Sequence, residues 1–119
     1  TMKMDQPCSQ HITFRTFLQI LEDNFRRDVN VDFYAEKLNM SSRNLNIICQ
    51  NILQKSVSEI IETRKLTEAK ELLMNSEKTI AEIGFELGYN EKSYFSNVFK
   101  KKAGVTPSEF RNEMSKLIS

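Results

Sequence analysis

The chain has 119 residues, a length typical of one domain or of two very small domains that share an element. Apolar residues make up 39% of it and charged residues 28%, with 3 Gly and 2 Pro, which excludes a collagenous or Pro/Gly-rich disordered chain. No apolar run approaches the roughly 18 residues of a membrane span. Two cysteines and one histidine are too few for a disulfide framework or a four-ligand zinc site. We therefore expect a reduced, cytoplasmic protein without a metal or cofactor.

The net charge of +1 hides an uneven distribution of charged residues. Two windows, residues 37–58 and 92–108, contain no Asp or Glu and carry seven of the 17 Lys and Arg residues. The other ten basic residues and all 16 acids lie elsewhere. Such segregation suits a surface that binds a polyanion. Two solvated faces without a ligand would give the same pattern, so charge alone leaves both interpretations open.

Apolar residues recur at helical spacing along most of the chain, which predicts about seven helices and an all-α fold. Residues 1–11 are polar, include Pro7 and lack a period, so we expect a linker or a ragged end there. Cys49 belongs to an apolar stripe and is predicted to be a core residue. The stripes, in chain order, are Phe14–Phe25, Val31–Leu38, Leu45–Ile52, Val57–Leu73, Ile80–Leu87, Phe95–Phe99 and Phe110–Leu117.

The second half of the chain repeats a pattern of the first half after about 50 residues. The second copy has one residue inserted within the motif, and beyond it the two copies align without a gap. Each copy ends in a capping box, a helix start signal, at residues 56–59 and 106–109. Two copies are too few for a solenoid, so a small motif has been duplicated. The aligned pairs are Val31 with Ile80, Ala35 with Gly84, Leu38 with Leu87, Leu45 with Phe95 and Ser56 with Thr106.

Each copy has the pattern of a short helix, a tight turn and a second helix. Ala35 and Gly84 lie inside the first helix, where a small side chain lets two helices approach closely. Asn39 and Gly88 lie at the turn, where we expect a left-handed backbone. In a helix-turn-helix the second helix enters the DNA major groove, whereas a generic helical hairpin has no such role. Two copies that coincide with the two acid-free windows favour the first interpretation.

A family resemblance is carried mainly by the second copy. The stretches IAEIGFELGY at 80–89, SYFSNVFKKKAG at 93–104 and TPSEFR at 106–111 closely resemble the signature of the AraC/XylS transcriptional regulators. Residues 33–38 and 68–73 are also similar to that family, and the resemblance covers roughly residues 14–113. It implies two helix-turn-helix subdomains joined by one long helix and bound to DNA as a single bipartite unit.

We accordingly divide the chain into four segments. These are a linker or N-terminal extension of residues 1–12, a first helix-turn-helix subdomain of residues 13–56, a connecting helix of residues 57–75 and a second subdomain of residues 76–119. A helix from Val57 to Met74 would be about 27 Å long. That length approaches the roughly 34 Å between major-groove faces one turn apart.

The resemblance assigns DNA contacts to the helices that begin near Ser42 and Lys92. Arginine suits guanine and asparagine suits adenine. Ile47 departs from the polar or basic residue common in the family and either suits a thymine methyl or is an exposed surface residue without a ligand. Arg64 is either a strut between subdomains or a phosphate contact. The lysine run at 100–102 also suits a helix C-terminus that has no ligand. The expected base-facing residues are Arg43, Asn46, Ile47, Lys92, Ser93, Ser96 and Asn97. The expected phosphate-facing residues are Ser42, Asn44, Arg64, Lys100, Lys101 and Thr106.

No glycine-rich phosphate loop, metal-ligand cluster or nucleophile–base pair appears in the sequence, so we expect no enzyme. We predict a sequence-specific regulator of transcription, expected from the resemblance to be an activator, with double-stranded DNA and RNA polymerase as partners and no membrane association. We also expect an N-terminal sensor or response-regulator domain outside this chain. The alternative is a helical protein-interaction module whose basic windows face an acidic partner.

Overall fold

The computed structural model describes residues 2–118, and the side chains of residues 9–117. This part of the chain forms seven α-helices and no strand, which confirms the predicted all-α fold. No helix within it combines the length and apolarity of a membrane span. The helices are α1 Met2–Asn24, α2 Val31–Lys37, α3 Ser42–Leu53, α4 Val57–Asn75, α5 Ile80–Glu86, α6 Lys92–Ala103 and α7 Pro107–Ile118.

Helix α1 begins much earlier than the sequence pattern predicts. Residues 2–12 are helical, so the expected irregular lead-in is wrong for this stretch, while Thr1 lies outside the described residues. The physical reason is that a helix nucleated by the amphipathic segment 14–25 grows one backbone hydrogen bond at a time and needs no apolar face to do so.

The chain forms two compact units whose boundaries differ from the predicted segments. Unit 1 contains the residues up to Phe25 together with Val29–Glu62, and unit 2 contains Arg26–Asp28 together with the residues from Thr63 onward. Helix α4 therefore contributes residues to both units. In the short connection between α1 and α2, residues Arg26–Asp28 belong to unit 2, although the helices on either side belong to unit 1.

The core of unit 1 is built on α1, α2 and α3. Phe17, Tyr34, Leu45 and Cys49 are completely buried, and the rings of Phe17 and Tyr34 meet edge to face with centroids 5.6 Å apart. Burial raises the pKa of the Cys49 thiol to about 11, so it stays protonated at neutral pH. The prediction of Cys49 as a core residue is confirmed.

The core of unit 2 has aromatic side chains at two places where the core of unit 1 has smaller ones. Phe95 and Phe99 of α6 are buried, and Phe99 also packs on Phe110 of α7 with ring centroids 5.7 Å apart. Gly84 lies so close to α6 that a Cβ placed on it would be 3.0 Å from the Phe95 side chain. Unit 1 has Ala35 in place of Gly84 and the smaller Leu45 in place of Phe95. The predicted need for a small residue inside the first helix of each motif is thus explained by the size of its partner.

Both predicted capping boxes are present. The Thr106 hydroxyl accepts a hydrogen bond from the Glu109 N–H at 3.1 Å, and the Thr106 N–H donates to Glu109 Oε1 at 2.8 Å. The backbone bond from Thr106, followed by the side-chain bond, lowers the pKa of the Glu109 carboxyl, so the stabilisation it gives is present at neutral pH and is lost as the pH falls through the folded pKa. Ser56 and Glu59 form the same pair of bonds at the start of α4.

The turn of each motif has the left-handed backbone that we predicted. Asn39 has a φ of 56° and Gly88 a φ of 90°. At Gly88 there is also no room for a side chain, because a Cβ would lie 2.8 Å from the carbonyl oxygen of Arg26. The Arg26 guanidinium pairs with Glu68 of α4 at 2.8 Å. Residues 26–28 therefore contact the rest of unit 2 at two places, the turn at Gly88 and Glu68.

We predict that Gly88→Ala destabilises the protein more than Gly104→Ala does. Both glycines have a φ near 90°, but a Cβ at Gly104 meets nothing within 4 Å. The left-handed backbone alone should cost Gly104→Ala about 1–2 kcal/mol of unfolding free energy. The overlap with the Arg26 backbone should add at least about 1 kcal/mol for Gly88→Ala. Urea unfolding of both variants measures the difference, and equal losses would show that the 26–28 connection does not contact this turn.

Candidate nucleic-acid interface

Helices α3 and α6 are the second helices of the two motifs, and each buries an apolar face and exposes a polar one. In α3 the buried residues are Leu45, Ile48 and Cys49, and in α6 they are Phe95 and Phe99. The residues with predicted DNA contacts lie on the other side or at the helix ends. Those with exposed side chains are Arg43, Asn44, Ile47, Lys92, Ser93, Asn97, Lys100 and Lys101. Those with half-buried side chains are Ser42, Asn46, Arg64, Ser96 and Thr106.

The first turn of α3 is tied to its own cap and to α2. The Ser41 hydroxyl accepts a hydrogen bond from the Asn44 N–H at 3.1 Å, which satisfies one of the open donors of the helix start. The Ser42 hydroxyl donates to a carboxylate oxygen of Asp32. Because this donor is already paired with an acid, a phosphate at Ser42 would have to approach a negative charge. The arrangement disfavours the phosphate contact that we expected of this side chain.

Asn46, a predicted base reader, makes a bond inside unit 1. Its Oδ1 accepts a hydrogen bond from the backbone N–H of Val57, the first residue of α4, at 2.9 Å. Bidentate recognition of adenine needs the amide oxygen and the amide nitrogen of asparagine at the same time. The Val57 N–H occupies one of the two lone pairs of this oxygen, so the orientation of the Asn46 amide is set by a partner within unit 1.

The repeat gives a reason for this bond. Val57 is completely buried, so its N–H needs a partner within the protein. In the second copy the equivalent residue is Pro107, which has no N–H, and the residue equivalent to Asn46 is the shorter Ser96. Unit 1 therefore satisfies the donor with a side chain, and unit 2 removes the donor. Ser96 therefore has no backbone N–H to accept from at the position where Asn46 binds that of Val57.

Helix α6 has a more open start and a basic end. Its N-cap residue, Glu91, makes no side-chain capping bond, and Lys100, Lys101 and Lys102 occupy its last turn. Sequence reasoning missed Tyr94, which is 60% exposed and meets the ring of Tyr89 edge to face with centroids 5.6 Å apart. The repeat contained the signal, because Tyr94 is the counterpart of Asn44.

Arg64 lies apart from the two reading helices, within α4. Its guanidinium is 3.4 Å from a carboxylate oxygen of Glu68, whose other oxygen pairs with Arg26. The Arg64 side chain keeps only 25% of its surface exposed. The Arg64 guanidinium therefore belongs to an ion-pair cluster within unit 2. In the described part of the chain no group of His, Cys, Asp and Glu is placed to hold a metal ion.

A family model described as a helix-turn-helix domain matches residues 34–113, a span that includes the second motif and most of the first. The chain belongs to the AraC-type helix-turn-helix family. Members of this family are DNA-binding regulators of transcription, and this AraC-type chain shares that function.

The AraC-type chain is similar to proteins of different overall length. It is 27% identical to the regulatory protein SoxS of Salmonella typhimurium over 84% of this chain and 94% of SoxS. It is 29% identical to the transcriptional activator RhaS of Mannheimia succiniciproducens over 82% of this chain, which spans only 36% of RhaS. The C-terminal domain of AraT, a response regulator from Geobacillus stearothermophilus, has a similar structure, with a TM-score of 0.81 and 31% identity over 85% of this chain and 84% of that one.

We predict that Asn46→Ala costs about 1–2 kcal/mol of unfolding free energy, because it leaves the buried Val57 N–H without a partner. In a Val57→Pro background the same substitution should cost less, since proline has no N–H to leave unpaired. Urea unfolding of the four proteins in a double-mutant cycle measures this coupling.

Ser96→Ala provides the matched control for that cycle. In unit 2 the counterpart of Val57 is Pro107, which has no N–H for Ser96 to accept from. Ser96→Ala should therefore change the unfolding free energy by less than about 0.5 kcal/mol. An equal cost of Asn46→Ala with Val57 and with proline would mean that the bond does not stabilise the start of α4.

Proposed function

We propose that this chain is the DNA-binding part of a transcription activator and binds one asymmetric site with two unlike reading helices. The observation that carries the proposal is that α3 and α6 each expose a polar face, within an acid-free window of the sequence, on the side opposite their buried residues. The two exposed faces differ in nearly every residue. One chain therefore reads two different half-sites, and its target need not be palindromic.

The proposed base contacts are divided between the two helices. Arg43 and Ile47 read one half-site from α3, and Lys92, Ser93, Ser96 and Asn97 read the other from α6. Asn46, by contrast, is proposed as a positioning residue, because its amide oxygen already holds the start of α4. Arginine with guanine and asparagine with adenine are the pairings that fit the exposed side chains.

Phosphate contacts are proposed for residues at the ends of the reading helices and at one following helix start. Asn44, Lys100 and Lys101 are exposed and carry donors that a phosphate can accept. The Thr106 hydroxyl accepts the capping bond from Glu109 and still has its own proton to donate. Arg64 and Ser42 are weaker candidates, since each is paired with an acid.

The partners of the whole protein follow from its relatives. The chain spans about a third of the length of several relatives, including the activator RhaS, and its structural relative in AraT is the C-terminal domain of a response regulator. We propose an N-terminal sensor or response-regulator domain, activation through RNA polymerase, a cytoplasmic location and no enzymatic activity. Electrophoretic mobility shift with genomic fragments tests DNA binding, and in vitro transcription from a bound promoter distinguishes activation from repression.

We predict that DNA binding is strongly salt-dependent despite the net charge of +1. Each phosphate neutralised by a lysine or arginine contributes about −0.9 to the slope of log K against log salt concentration, so we expect a slope steeper than about −3. The double substitution Lys100→Gln and Lys101→Gln should make the slope less steep by about 1–2. Fluorescence anisotropy with a labelled duplex measures it. Lys116→Gln, an exposed lysine outside both windows, should leave the slope unchanged, and a flat salt response of the parent protein would contradict a phosphate-binding face.

We predict that Arg43→Ala and Asn97→Ala change different parts of the target site. Arg43→Ala should relax preference at one or two base pairs, by about 1–3 kcal/mol if the arginine contact is bidentate. Asn97→Ala should act about 10 base pairs away, one helical turn along the duplex. Selection from a random DNA library with each variant measures both effects. If both substitutions changed the same base pairs, or neither changed any, the two-part site would be wrong.

A further inference from the structure

We infer that the α3 half-site is selected by the C5-methyl group of a thymine, which Ile47 contacts in the major groove. This inference rests on the proposed function, in that it assumes that α3 enters the groove. It goes further by assigning the chemistry of recognition on that helix, an apolar contact in place of a hydrogen bond.

Ile47 lies at the centre of the exposed face of α3. It is one helical turn beyond Arg43 on the same side, and 46% of its surface is exposed while its neighbour Ile48 is buried. A β-branched residue lowers helix propensity, so a half-exposed isoleucine at this place does not favour the helix itself. Its large apolar surface is available to a ligand.

The neighbours of Ile47 leave few alternatives for recognition. Asn46 is half-buried and its amide oxygen holds the Val57 N–H, which disfavours the bidentate contact with adenine while that bond is kept. Asn51, one turn further along, donates its amide to Gln10 of α1 at 3.5 Å. Arg43 is the one charged residue of Ser42–Leu53. The middle of the exposed face therefore presents a hydrocarbon surface flanked by the Arg43 guanidinium and by the exposed amide of Gln50.

The major-groove edge of DNA has one apolar group that such a surface matches. Among the four bases only thymine carries a methyl group there, and apolar side chains contact it. The counterpart of Ile47 in α6 is Asn97, whose exposed amide carries a hydrogen-bond donor and an acceptor instead. The duplicated motif thus places a methyl reader on one helix and an amide reader on the other.

The test replaces single thymines by deoxyuridine, which removes the methyl group and keeps every hydrogen-bonding group. On the duplex selected by the parent protein, one thymine in the half-site affected by Arg43→Ala should be sensitive. Its replacement should weaken binding about fourfold, the effect of removing one buried methyl group from contact. Ile47→Ala should bind the thymine and deoxyuridine duplexes equally, because the contacting side chain is gone.

Two controls separate this contact from a structural effect. Ile47→Ala should unfold at the same urea concentration as the parent, since the side chain lies outside the core. Asn97→Ala, the matched variant on α6, should keep the full sensitivity to deoxyuridine in the α3 half-site. Ile47→Asn, which transfers the α6 residue to α3, should lose the preference for thymine at that base pair.

The outcomes distinguish this inference from the proposed function. If a two-part site is selected but no thymine methyl matters, or if Ile47→Ala keeps the same fourfold sensitivity, the methyl contact is wrong and the two-helix model stands. If no sequence is enriched from the library, the proposed function fails and the inference fails with it. A single thymine whose deoxyuridine effect disappears only in the Ile47 variants supports the inference.

Discussion

The open N–H groups at the helix starts are the constraint on which most of this fold depends. Helices α2 and α5 have seven residues each, and α3, α6 and α7 have twelve. Isolated helices of such length are marginal in water, so their ends and their packing determine whether they form. The chain meets this demand with side-chain caps at most of the helix starts. The residues that accept these capping bonds are Asn30, Ser41, Ser56, Thr79 and Thr106.

The same constraint separates the two copies of the motif. The first residue of the helix after each motif is buried. In unit 1 its N–H is paired with Asn46, whereas in unit 2 it is Pro107, which has no N–H. The side chain on the second helix is therefore bound within the protein at Asn46 but not by the equivalent bond at Ser96. The cores diverge in the same compensated way, since Gly84 accompanies the larger Phe95. The two copies keep the same order of helices, but residues that contact each other in one copy are both different in the other. The surfaces of α3 and α6 consequently present different chemistry on similar scaffolds.

Local signals in the sequence were sufficient to predict much of this architecture. The helical period, the capping boxes and the left-handed turn at Gly88 all depend on residues a few positions apart, and each was confirmed. The extent of α1 was not predictable from apolar spacing, because its first turns have no apolar face.

The candidate site was predictable in its location and less so in its details. The bond from Val57 to Asn46 and that from Ser42 to Asp32 join residues about ten positions apart, and only the packed structure brings them together. Tyr94 was readable from the repeat, because it aligns with a residue that sequence reasoning had already selected. Exposure of a side chain follows from periodicity, whereas the use of its polar atoms depends on neighbours that periodicity does not specify.

The path of the chain between α1 and α2 limits how this protein can be divided. Arg26–Asp28 comes from the first half of the sequence but pairs with Glu68 and covers the turn at Gly88, both in unit 2. Neither unit is one uninterrupted length of chain. A fragment that starts at Thr63 would lack the backbone that covers this turn. Any transplant of unit 2 into another scaffold therefore has to carry these three residues with it, as a separate segment of sequence.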